Sequence, residues 1–319
     1  MKISINMEIK AILFGVNESV IGNLNIGENY KVERDTMINQ KLWEQFDYTV
    51  FGLRRIYETA KLNDNLDVAI LTKNIKDDYD VELIEGKGYM VRDKHIDNII
   101  YDIEVQEMNY VDEKMRIIRL YGENGFNIKE LLINTNIIEN GKSIYYHNSK
   151  IPFPDKVSSE IKKLNLLSNQ EISSINNFIQ KTDLRFSSSQ FTPEILTSAC
   201  FLYDQSYYAP VATLKFMVCI IGLESLLVDG NSELSYRLSW NCAMLLSNNS
   251  TEYAELYEKV RKLYNVRSEF VHTGFVKKLE SNDVVIARGI LRETIFKIIE
   301  KNVTKKQLLK ELDLKGYIT

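Results

Sequence analysis

The period of the apolar residues changes once along this chain, near residue 150, and that change limits the folds open to it. Before it, short segments alternate apolar and polar positions as half-buried strands do: Met7 to Phe14, Leu66 to Leu71, Ile99 to Val105, Met115 to Tyr121 and Ser143 to Tyr146. Gly15, Gly22, Gly27, Gly86, Gly88, Gly122 and Gly125 fall between such segments as turn signals. One amphipathic stretch, Trp43 to Leu62, interrupts them as a helix candidate. All four prolines, Pro152, Pro154, Pro193 and Pro210, come later, and Ile151-Pro-Phe-Pro-Asp155 reads as an extended connector. Beyond it the spacing predicts helices near 168–182, 193–207, 210–228, 233–247, 251–273, 282–302 and 304–313. The 210–228 segment is apolar nearly all round and is expected at the centre of a bundle, flanked by 193–207 and 251–273. The expected fold is α+β, with a mainly-β domain over 1–150 and an all-α helical bundle over 151–319.

A chain of 319 residues exceeds the usual single-core size, which agrees with two domains. Its 45% hydrophobic and 26% charged content is ordinary for a globular protein. Cys200, Cys219 and Cys242 lie in apolar helical segments without CxxC or Cys/His clustering, which argues against a disulfide framework and a zinc site. His95 and His147 are isolated, and no glycine-rich phosphate loop, metal cluster or nucleophile elbow stands in the first half. No metal or cofactor is expected. The charged flanks of the amino-terminal apolar run do not form a signal peptide, and Phe216 to Leu223 is bracketed by Lys215 and Glu224. A cytoplasmic protein without a membrane partner is expected. The net charge of -4 hides an acidic first half, and the segment from Lys259 to Lys315 is the most basic part. Such clustering suits a polyanion such as RNA, or equally a solvated lysine face.

Within that basic segment, Arg267 precedes His272 by five positions. Leu256, Val260 and Leu263 form an apolar stripe whose next step lands on Arg267 before Phe270 continues it, so the guanidinium needs a partner or a wet cleft. The helix runs out at Thr273-Gly274, placing His272 in its last turn, where the dipole favours the protonated ring. RNA cleavage by its own 2'-hydroxyl needs a proton acceptor, a proton donor and a cation on the phosphate. His272 suits either proton role near neutrality, and Arg267 offers a planar, two-pronged phosphate clamp.

Two strings in fixed order carry a family resemblance: Gly222-Leu-Glu-Ser-Leu-Leu-Val228 followed by Glu233-Leu-Ser-Tyr-Arg-Leu-Ser239, then Leu263-Tyr-Asn-Val-Arg-Ser-Glu-Phe-Val-His-Thr-Gly274. Together they resemble the Apea-like branch of the HEPN superfamily over about residues 165–310. The resemblance implies a helical bundle that dimerises so that two Arg/His motifs face one cleft. It also implies a metal-independent endoribonuclease of the kind found in bacterial antiviral defence and toxin systems, joined to a sensing or targeting domain. Active members often carry Asn, Asp or His directly after the arginine; this chain has Ser268.

Supporting roles fall to fewer residues. Glu224 can orient Arg267 or Arg237, or reach solvent from a helix end. Arg237 reads as structural, and Tyr264 as a cleft or base-stacking residue or as core. The competing function is a non-catalytic HEPN module that binds RNA or a protein under control of the first domain and its unidentified ligand. A third reading places the Arg/His pair at a dimer seam as structure alone.

Overall fold

The computed structural model describes residues 1–16, 19–34, 67–86, 88–92, 94–121, 127–152, 167–181, 194–230, 232–274 and 279–316. The helix expected over 43–62 lies outside them. The chain divides into two compact units, Met1–Asp183 and Leu184–Thr319, the first built on a sheet and the second of helices.

The first unit centres on β1 (Lys2–Val16), where Ile3, Ile5, Met7, Ile9, Ala11 and Leu13 are all buried and Ser4, Asn6, Glu8 and Lys10 between them are partly exposed. That strict alternation gives the strand one apolar face. It pairs antiparallel with β3 (Asp67–Asp80) on one side and β7 (Asn127–Glu139) on the other. The outer strands β2 (Lys31–Arg34) and β8 (Lys142–Pro152) complete the order β2-β3-β1-β7-β8. Three short strands, β4 (Glu82–Ile84), β5 (Gly88–Val91) and β6 (Lys94–His95), form a second antiparallel sheet.

Two expectations from the sequence are corrected here. Residues 99–105 and 115–121 are not strands: all but Tyr121, its C-cap, lie in one helix, α1 (Ile96–Leu120). Its buried face carries Ile96, Ile100, Val111, Met115 and Ile118 at helical spacing, with Glu104 and Glu107 filling the middle. Those two carboxylates obscured the helical period. Glu107 accepts from Tyr30 and Lys73, both at 2.7 Å, and Glu104 accepts from Ser149 at 2.5 Å, so the carboxylates are satisfied against the sheet. Tyr101, part of the apparent alternation, is 65% exposed. The second correction concerns the boundary at residue 150, which falls inside β8, where Ile151 and Pro152 pair with Leu131 and Glu130. The first unit also includes α2 (Asn169–Lys181), which buries Ile172, Ile175 and Ile179. Asn176 on α2 bonds the backbone at Asn23 and Asn25, and Phe178 meets Tyr121 edge-on.

The second unit holds α3 (Glu194–Tyr208), α4 (Ala212–Leu227), α5 (Leu234–Leu246), α6 (Ser250–Thr273), α7 (Ser281–Lys301) and α8 (Lys305–Gly316). These match the helices read from the sequence to within a few residues. α4 is the centre, with Phe216, Cys219, Ile220, Leu223, Leu226 and Leu227 fully buried. It packs chiefly on α3 and α7, whereas α6 leans mainly on α5. Gly222 explains the close approach of α7: a Cβ there would stand 2.8 Å from Leu291 Cδ2. No helix among the described residues is long and apolar enough to cross a membrane.

Candidate functional site

α6 carries the sequence motif, and its two ends are fixed locally. At the start, Asn249 accepts from the Glu252 amide at 2.9 Å, while the Glu252 carboxylate accepts from the Asn248 amide at 2.9 Å. At the finish, Gly274 takes a left-handed φ of 70° and its N–H bonds Phe270 at 2.8 Å. Only Val260, Leu263 and Tyr264 of this 24-residue helix are buried. The stretch from Asn265 to Thr273 is partly or fully exposed, so α6 is anchored at its middle and presents its last turns.

Arg267 sits where anchoring gives way to exposure. Its Nη2 donates to Glu224 Oε2 of α4 at 3.1 Å, with 21% and 18% of the two side chains exposed. The guanidinium lies over the Tyr264 ring, 5.6 Å from its centroid. Glu224 therefore turns to Arg267 and not to Arg237, whose Nη1 donates to the Asp229 carbonyl. The pairing is single-pronged: among the described residues, Glu224 Oε1 and Arg267 Nε are both buried without a hydrogen-bond partner. Burial pushes the Glu224 carboxyl above its ordinary value, against the opposing charge and hydrogen bond of Arg267. The Tyr264 phenol is raised by burial first and by Glu224 next, with Arg267 opposing. The arrangement is a cation held in place with part of its hydrogen-bonding capacity unspent.

His272 is exposed in the last turn of α6. The helix is unbroken through both motif residues, so Arg267 and His272 leave it about 140° apart and about 7.5 Å along its axis. One copy of the helix does not turn both side chains to the same side. Ser268 is partly exposed beside Arg267. Arg237 caps the chain at Asp229 and lies near Gly230, which agrees with a structural role.

Three further polar residues, which the sequence gives no motif for, satisfy helix ends: two at the end of α4 and one at the end of α3. Lys305 Nζ donates to the Ser225 carbonyl at 2.8 Å, and Asn241 Nδ2 to the Leu227 carbonyl at 2.7 Å. Both satisfy carbonyls that a helix end leaves open. Arg288 on α7 is 3% exposed, bonds the Ser206 hydroxyl and carbonyl at 2.9 Å each, and stacks 4.1 Å from the Tyr207 centroid. Arg288 interrupts the apolar run Val284 to Leu291, and an arginine in such a run is the signal that the sequence offers. Among the described residues, no group of three or more His, Cys, Asp or Glu side chains could hold a metal ion.

Comparison with protein-family models, with curated proteins and with solved structures finds no match to this chain. The functional reading therefore rests on the residues themselves.

Proposed function

We propose that this chain is a metal-independent endoribonuclease of the HEPN type, its helical unit an Apea-like HEPN bundle and its sheet unit a sensing or targeting domain. The observation that supports this reading most is the Arg267–Glu224 pair at the edge of the exposed end of α6. A structural arginine is normally satisfied, yet this one keeps a buried Nε without a partner among the described residues. A phosphate oxygen entering beside Arg267 would meet that N–H and a guanidinium already oriented by Glu224 and Tyr264.

In this mechanism Arg267 holds the scissile phosphate and offsets the charge that builds on it during 2'-hydroxyl attack. His272, exposed in the last turn of α6, takes or gives the proton. The 140° divergence within one helix is relieved in a two-fold dimer, where Arg267 of one copy faces His272 of the other. The protein then acts on RNA in the cytoplasm, in a defence or toxin-like role, under control of the sheet unit.

The second reading, a non-catalytic RNA- or protein-binding module, draws on the commitment of Arg267 to Glu224 and on Ser268 beside it. The deciding experiment incubates wild-type and His272→Ala protein with mixed RNA in EDTA and reads the fragment ends. The nuclease reading expects 2',3'-cyclic phosphate ends from wild type and none from the variant. Equal cleavage by both would sink it, and RNA retention without cleavage by either would favour the binding module.

A further inference from the structure

The open face of the sheet in Met1–Asp183 breaks a local rule. Asparagine is disfavoured in strands, yet Asn6, Asn74, Asn134 and Asn136 all sit on the face opposite the apolar core. Asn6 lies directly across from Asn136, and Glu8 lies between Asn74 and Asn134 in the neighbouring row. These positions line one open depression of about 370 Å³, with Lys76 and Tyr146 at its sides. An ordinary solvated sheet face gains nothing from residues that weaken its strands, and such breaches of local preference concentrate at functional sites.

Their hydrogen bonding is left incomplete. Among the described residues, the Asn6 and Asn74 amides have no partner. Asn136 accepts from Ser143 at 2.5 Å through Oδ1, which leaves its NH2 to donate. Asn134 donates to Glu8 at 3.2 Å, which leaves its carbonyl oxygen to accept. Glu8 also meets Lys10 at 2.6 Å. Burial raises the Glu8 carboxyl, but the bonds from Lys10 and Asn134 outweigh it and hold the group below its ordinary value, so it remains an ionised acceptor.

We propose that this depression binds a neutral saccharide. Each sugar hydroxyl both donates and accepts, and amides set about 4.8 Å apart across strands and about 6.8 Å apart along them offer donors and acceptors in alternation. Tyr146, 62% exposed, gives an aromatic face for the C–H side of a pyranose ring. The lining selects no acidic ligand by charge: among the described residues, Glu8 and Lys76 are its only ionised side chains and are of opposite sign, so the uncharged amides and the Tyr146 ring set its chemistry. The proposal does not depend on the nuclease reading, which concerns the other unit.

The test presents the full chain to immobilised neutral glycans of two to four hexose, pentose or N-acetylhexosamine units. Sialylated and phosphorylated glycans and the nucleosides adenosine and uridine serve as competing probes. Retention on one neutral class is expected, roughly tenfold weaker for Asn6→Ala and for Tyr146→Ala. Asn74→Ala, at an exposed position, provides a third variant in which folding is not at stake, and unchanged circular dichroism checks all three. No retention on any neutral glycan overturns the proposal. So does retention unchanged in the folded variants, or preferential binding of the acidic or nucleoside probes.

Discussion

Arg267 is informative because of how little holds it. Among the described residues, one hydrogen bond from Nη2 and one aromatic face fix a guanidinium whose buried Nε has no partner. Lysine at this position would keep the charge and lose the fork, so Arg267→Lys is expected to lower RNA cleavage about 100-fold or more while leaving the melting temperature nearly unchanged. A single-turnover assay on wild type and variant checks this. Glu224 gives a pH prediction with a definite sign. Its folded carboxyl titrates above the ordinary 4.5 because burial disfavours the anion. The folded state therefore binds the proton first, and stability rises as pH falls through the folded value toward the unfolded one. Urea melts between pH 7 and 4 should show wild type gaining on Glu224→Gln over that window; the opposite slope would mean that Arg267, not burial, dominates. Cys242, fully enclosed, is pushed up to about 12 by burial, and Cys200 and Cys219 are buried too. Alkylation at pH 8 is expected to label none of the three in the native protein and all of them in denaturant, as mass spectrometry would count.

Elements are held by local devices that the sequence shows and by packing that it does not. The Asn249 cap and the answering Glu252 carboxylate start α6 in the open, and Asn249→Ala is expected to cost about 1 kcal/mol in a chemical melt. Within the α3–α4–α7 layer, Arg288 is buried on a serine hydroxyl and carbonyl. Truncating it strands those groups, and Arg288→Ala should cost about 3 kcal/mol in the same assay. Residues 99–105 and 115–121 read as strands from their spacing, yet all but Tyr121 lie in α1. The sequence alternates there because Glu104 and Glu107 occupy the buried face of α1, and a hydrophobicity pattern cannot register carboxylates satisfied by Ser149, Tyr30 and Lys73 from other elements. The helices of the second unit were readable because their buried faces are almost wholly apolar, as α4 shows.

At the scale of the whole molecule, the proposed chemistry needs two copies, because one α6 cannot turn Arg267 and His272 to the same side. Mixing the inactive Arg267→Ala and His272→Ala proteins should then restore roughly a quarter of wild-type cleavage, through mixed dimers that hold one intact composite site. No recovery after mixing and re-equilibration would place both groups in one protomer's site. Spacing, caps and breakers act over a few residues, so the ends of the second unit's helices and the arginine on the apolar stripe of α6 are legible from neighbouring residues alone. Packing, not local sequence, brings Glu224 to Arg267 across 43 residues and draws Ile151 and Pro152 into β8. Strand register gathers asparagines from β1, β3 and β7 into one depression. Those outcomes depend on partners brought together by packing and strand register, and neither is written in the spacing of neighbouring residues.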